Sequence, residues 1–132
     1  LARGIHPAIL TAQGLPAAVR SLADRAPVPV RVAVAEGRLP EPVESAAYFV
    51  VSEALANVAK HAQARSAVVS IEREDGHLLV AVRDDGRGGA HYDGRGGLRG
   101  LADRVGALDG QLLVESPPGA GTVVRAEIPC AS

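Results

Sequence analysis

The sequence is poor in aromatic residues: Tyr48, Phe49 and Tyr92 are all it has, and tryptophan and methionine are absent. Any core must therefore be aliphatic, and Ala, Val and Leu supply the apolar mass. Cysteine is almost missing too. With Cys130 alone no intrachain disulfide can form, and a reducing compartment fits that usage. The four histidines, His6, His61, His77 and His91, show none of the paired Cys/His spacings of a tetrahedral zinc site. Neither sign of charge dominates: 14 basic and 15 acidic side chains leave a net charge of −1, which excludes the broad basic footprint of a general nucleic-acid binder. No apolar run approaches the roughly 18 residues of a membrane span, and no charged-then-apolar leader is present. The chain starts at Leu1 rather than Met, and it is expected to be a piece of a longer protein.

What remains is a chain of 132 residues, 47% hydrophobic and 22% charged. That composition suits one globular domain, and a chain of this size buries about two thirds of its unfolded surface without a disulfide or metal staple. Residues 1–12 carry no long period and read as a linker from an upstream segment, leaving 13–132 as the domain. Leu15, Val19 and Leu22 recur at helical spacing until Pro27 and Pro29 interrupt them. Val28, Val30, Val32 and Val34 alternate as a half-buried strand does. After a turn from Gly37 to Pro42, the longest helix is predicted from about Pro42 to Ala62, with Ala47, Val51, Leu55, Val58 and Ala62 on one face. A hairpin follows, its strands marked by Val68, Val69 and Ile71 and by Leu78, Val80 and Val82, its turn by Glu74-Asp75-Gly76-His77. Glycines at 86, 88, 89, 94, 96, 97 and 100 make the next stretch read as a mobile loop. Leu98 to Leu108 regains helical spacing, and two strands, Gln111 to Glu115 and Thr122 to Ile128, end the chain.

Three places can carry chemistry. Glu53, Asn57 and His61 are spaced i, i+4, i+8 with Lys60 beside them, so they share a stripe opposite the apolar face. Taken alone this stripe suits an ordinary solvated helix face. The sharper reading is a metal–nucleotide wall, because an amide oxygen such as that of Asn57 fits a hard cation like Mg²⁺ and a carboxylate one turn away, Glu53, can orient or deprotonate a nucleophile. The second place is Asp84-Asp85-Gly86-Arg87-Gly88 at a strand end, either a common Asp-Gly turn or an acidic group with glycines that admit a close neighbour. The third is Gly97 to Gly100, where backbone N–H groups at a helix start, with Arg95 and Arg99 near, make an anion site unless the segment is merely a surface loop. A P-loop is excluded, since Lys60, the only lysine, lacks that motif's glycines, and the dinucleotide fingerprint fails at Arg99. There is no Gly-x-Ser-x-Gly elbow for a hydrolase nucleophile.

The order of these pieces is informative: Glu53-x-x-x-Asn57-x-x-Lys60-His61, then Asp84-x-Gly86-x-Gly88, then Gly97-Leu98-Arg99-Gly100-Leu101, then Gly119-Ala120-Gly121-Thr122. It resembles the ATP-binding catalytic domain of two-component sensor histidine kinases, within the GHKL ATPases, with the N box, two glycine boxes and the terminal Gly-Thr element spanning about 44 to 129. The lead-in LARGIHPAILTAQGL further resembles the subfamily that pairs with helix-turn-helix response regulators. The resemblance implies an α/β fold, a two-layer sandwich of a mixed β-sheet packed on helices, with ATP and Mg²⁺ as cofactors. It implies Asn57 as the Mg²⁺ ligand, Glu53 as the catalytic acidic residue, and Lys60 and His61 facing phosphate. Asp84 would accept the adenine amine beside Gly86 and Gly88, with Thr122 supporting that pocket. Gly97, Leu98, Arg99 and Gly100 would end the lid over the phosphates. None of the four histidines is followed by an acidic residue, so the phosphoacceptor is expected on the dimerisation helices of a homodimeric parent, with a response regulator as the other partner. A cytoplasmic domain follows from the same likeness, with no nucleic-acid or membrane contact of its own, whether or not the parent is membrane-anchored. Two other readings share the motifs: an anti-sigma-factor-type serine kinase or other GHKL ATPase, and a nucleotide-sensing module without transfer activity.

Overall fold

A computed structural model describes residues 7–59, 64–86, 97–116, 119 and 121–130. The elements run α1 (Ala8–Gln13), α2 (Leu15–Asp24), β1 (Val30–Val34), α3 (Glu41–Asn57), β2 (Ala67–Glu74), β3 (His77–Asp84), α4 (Gly97–Gly106), β4 (Gln111–Glu115) and β5 (Thr122–Pro129). The strands form one mixed sheet in the order β1-β2-β3-β5-β4, in which β1 lies parallel to β2 and every other pair is antiparallel. That is the mixed sheet of the expected sandwich.

Alternation decides which side of the sheet is covered. Val69 and Ile71 of β2, Leu78, Val80 and Val82 of β3, and Val124, Ala126 and Ile128 of β5 are all buried. Their in-between neighbours, such as Arg83, Arg125 and Glu127, are exposed. The helices pack on the buried side: α3 against β3 and β5, α2 against β1 and α3, and α4 against α3 and β4. The core is aliphatic, with Leu10, Leu15, Ile71, Leu78 and Ile128 among its largest fully buried side chains. Phe49 is half-buried at the helix layer, meeting Tyr48 edge-on at 5.6 Å and the Arg104 guanidinium at 4.3 Å. Such a cation–ring contact contributes about 0.5–1 kcal/mol where solvent reaches it, and here it joins α4 to α3.

The helix α3 is the central element. Pro42 lies in its first turn, where a missing N–H costs nothing, and Glu41 and Glu44 there complement the positive end of the helix dipole. The predicted apolar stripe is buried at Ala47, Val51, Leu55 and Val58, whereas Ala62 lies outside the described residues. Ala46, Val50 and Ala54 are buried as well, so the covered face is broader than one stripe. The α-helix proper ends at Asn57 and passes into a wider π-type turn at Val58 and Ala59. One departure from the sequence reading lies at the start of the chain. Residues 8–12, read there as linker, fold together with Gln13 as α1, and Leu10 is wholly buried in the core. A single buried leucine in six residues leaves no periodic signal to read.

Candidate functional site

The connections bring three of the four motif regions to one end of the sheet. Asp84, the last residue of β3, is paired with Ala67, the first of β2, and with Thr122, the first of β5. The C-terminal end of α3 is joined to that same corner through residues 58–66. The corner is fastened by Asp85, whose Oδ1 accepts hydrogen bonds from the backbone N–H groups of Arg65 (2.8 Å) and Ser66 (3.0 Å), and whose Oδ2 accepts one from the Ser66 hydroxyl (3.1 Å). Those donors, the Ser66 amide first and the Arg65 amide second, hold the Asp85 carboxyl below its ordinary pKa.

Asp84 faces the other way, toward the helix layer, and is only 7% exposed. Its Oδ1 accepts a hydrogen bond of 2.8 Å from the Gly86 N–H, closing a two-residue turn that fixes the carboxylate. Its Oδ2 has no hydrogen bond from a described residue. An anchored, nearly buried carboxylate with one oxygen to spare is suited to accept a hydrogen bond from a ligand amine.

The terminal Gly-Thr element abuts this aspartate. Gly121 has φ of +77°, and a Cβ there would run into the Asp84 carbonyl oxygen, so only glycine permits the approach. Thr122 is 7% exposed, and its hydroxyl shares a hydrogen bond of 2.7 Å with that of Ser116. Asp84, Gly86, Gly121 and Thr122 thus form one contiguous wall.

Glu53 and Asn57 are half-buried on α3, one turn apart, and neither side chain is hydrogen-bonded to a described residue. Gly97 to Gly100 form the first turn of α4, whose N–H groups have no partner within the helix. Lys60, His61 and Gly88 lie outside the described residues, and of Leu98 and Arg99 the helical backbone alone is described. A concavity of about 420 Å³ lies on the uncovered sheet face, lined in part by Ser70, Ala81 and Arg125, and includes none of these residues.

Sequence reasoning missed two contributors. Asp85 was hidden by its twin, and only strand parity distinguishes an inward Asp84 from an outward Asp85. Ser116 carries no motif and reaches Thr122 through the pairing of β4 with β5.

The family described as histidine kinase-, DNA gyrase B- and HSP90-like ATPases matches residues 43–132. Among relatives, the signal transduction histidine-protein kinase/phosphatase DegS of Brevibacillus brevis is 39% identical over 95 residues, covering 70% of this chain and 25% of DegS. Sensor histidine kinase YdfH of Bacillus subtilis (strain 168) is 35% identical over 88 residues, covering 62% of this chain and 22% of YdfH. The chain therefore spans about a quarter of the length of these relatives. Among solved structures, the blue-light activated histidine kinase of Erythrobacter litoralis EL346 superposes with a TM-score of 0.75 at 26% identity, covering 89% of this chain and 41% of that one. With sequence, sheet order and motif geometry in agreement, the chain belongs to the histidine kinase-, DNA gyrase B- and HSP90-like ATPases and has the ATP-binding fold of histidine kinase catalytic domains.

Proposed function

We propose that this chain binds Mg-ATP between α3 and the Asp84 corner and donates the γ-phosphate to a histidine on separate dimerisation helices of a homodimeric sensor kinase. In this reading 13–132 is the catalytic domain, with α1 packed onto its core through Leu10, and a response regulator receives the phosphate next. The observation that carries it is the anchored Asp84 carboxylate, with Oδ2 unengaged by any described residue, against Gly121 and Thr122.

Each residue then has a defined task. Asp84 Oδ2 accepts the exocyclic amine of adenine, while Gly86 and Gly88 leave space beside the base and Thr122 supports its pocket. The donor set fits Mg²⁺: Asn57 offers a neutral amide oxygen, the hard ligand that this ion takes sparingly beside phosphates. Bound there, the ion would neutralise phosphate charge as transfer proceeds. Lys60 and His61 face the phosphates, and the first turn of α4, Gly97 to Gly100, directs its unpaired N–H groups at them. Glu53 orients the incoming imidazole and takes its proton. Transfer here is a matter of positioning and charge.

The names of the relatives favour a histidine acceptor over the serine of an anti-sigma-factor-type kinase, and the intact Glu53, Asn57 and Asp84 set favours a working enzyme over a nucleotide sensor. The experiment is a thermal shift with Mg-ATP followed by transfer to the parent's helical segment supplied in trans. At 100 times Kd the ligand stabilises by about 2.7 kcal/mol, so the melting temperature rises clearly. Asn57→Ala should lose the Mg²⁺-dependent part of that shift. The chain alone should stay unlabelled, and the product in trans should be acid-labile and base-stable, as a phosphohistidine is. A base-labile phosphoserine, or an Asn57→Ala effect equal with and without Mg²⁺, would reject the assignment.

A further inference from the structure

The first turn of α3 holds a buried carboxylate that the proposed chemistry does not use. Glu44 is 1% exposed, and three donors converge on it: Arg38 Nε at 3.1 Å and Nη2 at 3.2 Å, and the backbone N–H of Leu39 at 3.1 Å. The Arg38 fork does not stop there. Its Nη2 also donates to the carbonyl oxygens of Leu10 (3.5 Å) and Thr11 (3.3 Å) in the last turn of α1, the first of which also accepts from the Gly14 N–H that closes the helix.

The helix α1 is short. It is six residues long, far below the length at which a helix persists alone, has no side-chain cap, and packs on α2 and the core through fully buried Leu10 and partly buried Ile9. The joint leading out of it is shaped to the same arginine. Gly14 has φ of +88°, and a Cβ there would sit 3.1 Å from Cδ and 3.3 Å from Nε of Arg38.

We propose that Arg38 is a latch that fixes α1 onto the site helix α3, so that α1 can leave the domain as a unit and its docking is coupled to the occupancy of the site. Arg38 is then a positioning residue. It grips Glu44 at the start of the helix whose far end bears Asn57. The coupling half of the proposal rests on the Mg-ATP reading above; the docking half does not.

Amide hydrogen exchange on the whole chain tests both halves. The reporter is the Gly14 N–H, which donates to the Leu10 carbonyl at 2.9 Å, one of the two oxygens the latch holds. Arg38→Ala should speed exchange across residues 8–14 by about tenfold or more, the worth of a charge-assisted hydrogen bond, while β3 and β5 stay protected. Arg38→Lys keeps the charge beside Glu44 but lacks the fork that spans carboxylate and carbonyls together, so it should release α1 as well. Gly14→Ala should do the same from the other side of the contact. Unchanged exchange at 8–14 in Arg38→Lys and Gly14→Ala, or a rise spread evenly over the sheet, would overturn the latch. Saturating Mg-ATP should slow Gly14 exchange in the wild type and not in Arg38→Lys, the reciprocity that coupling demands. A thermal shift with no change at Gly14 would overturn the coupling. No thermal shift at all would instead defeat the nucleotide reading, and exchange without nucleotide would still decide the latch.

Discussion

Asp84 and Asp85 are neighbours of identical chemistry at the end of one strand, and the sheet treats them differently. Asp85 points outward and spends both carboxylate oxygens on Arg65 and Ser66, stapling the entrance of β2 to the exit of β3. Asp84 points inward, spends one oxygen on Gly86, and has no described partner for the other. Strand parity alone separates a carboxylate that organises the backbone from one that is organised by it. The ends of α3 repeat the contrast: Glu44 is buried and engaged by three donors, whereas Glu53 and Asn57 are half-buried with no described partner.

Substitutions at this corner break the comparison in order of size. Gly121→Ala should have the largest effect, because it combines a strained φ of +77° with a collision at the Asp84 carbonyl. A loss of about 3 kcal/mol in denaturant-melt stability is expected, with ATP affinity falling as the wall shifts. Unaltered stability would mean that the close approach of β5 to Asp84 is not needed. Asp84→Asn comes next. It should weaken ATP by about 1–3 kcal/mol in a calorimetric titration, because an acceptor is removed or reoriented, while stability changes little. Unchanged affinity would count against the adenine role.

Asp85→Asn should act least, and on the other property. ATP affinity should be unaltered, with a small loss of thermal stability at neutral pH. The sign follows from the depressed pKa: the wild-type carboxylate stabilises the fold above its ordinary value of 3.8, and that contribution is lost as pH falls through the lower folded value. The gap between the two melting curves should therefore close in acid. A gap that widens as pH falls would contradict the staple.

Much of this was legible in the residues. The valine alternation, the Asp75-Gly76 turn and the proline at the start of α3 each follow from local physics and match β1, the β2–β3 hairpin and the helix start. The motif order marked Asp84, Gly86, Asn57 and Thr122, the residues on which the proposed nucleotide site rests. What stayed hidden depends on contacts distant in sequence. Arg38 and Glu44 are unremarkable surface types until the fold buries one beneath the other, and α1 has no period because a single leucine anchors it. The change from α-helix to a π-type turn at Val58 and Ala59 was also hidden, since apolar spacing runs on through Val58, and the predicted end at Ala62 lies outside the described residues.

The most direct measurement is a Mg²⁺-dependent titration of the wild type and Asp84→Asn with ATP and with GTP. A carboxylate that accepts from the adenine amine should reject the carbonyl that guanine presents at the same place, so the wild type should bind ATP at least about tenfold more tightly, and the asparagine amide should narrow or invert that preference. Equal affinity for the two nucleotides in the wild type, or a preference untouched by Asp84→Asn, would contradict the account.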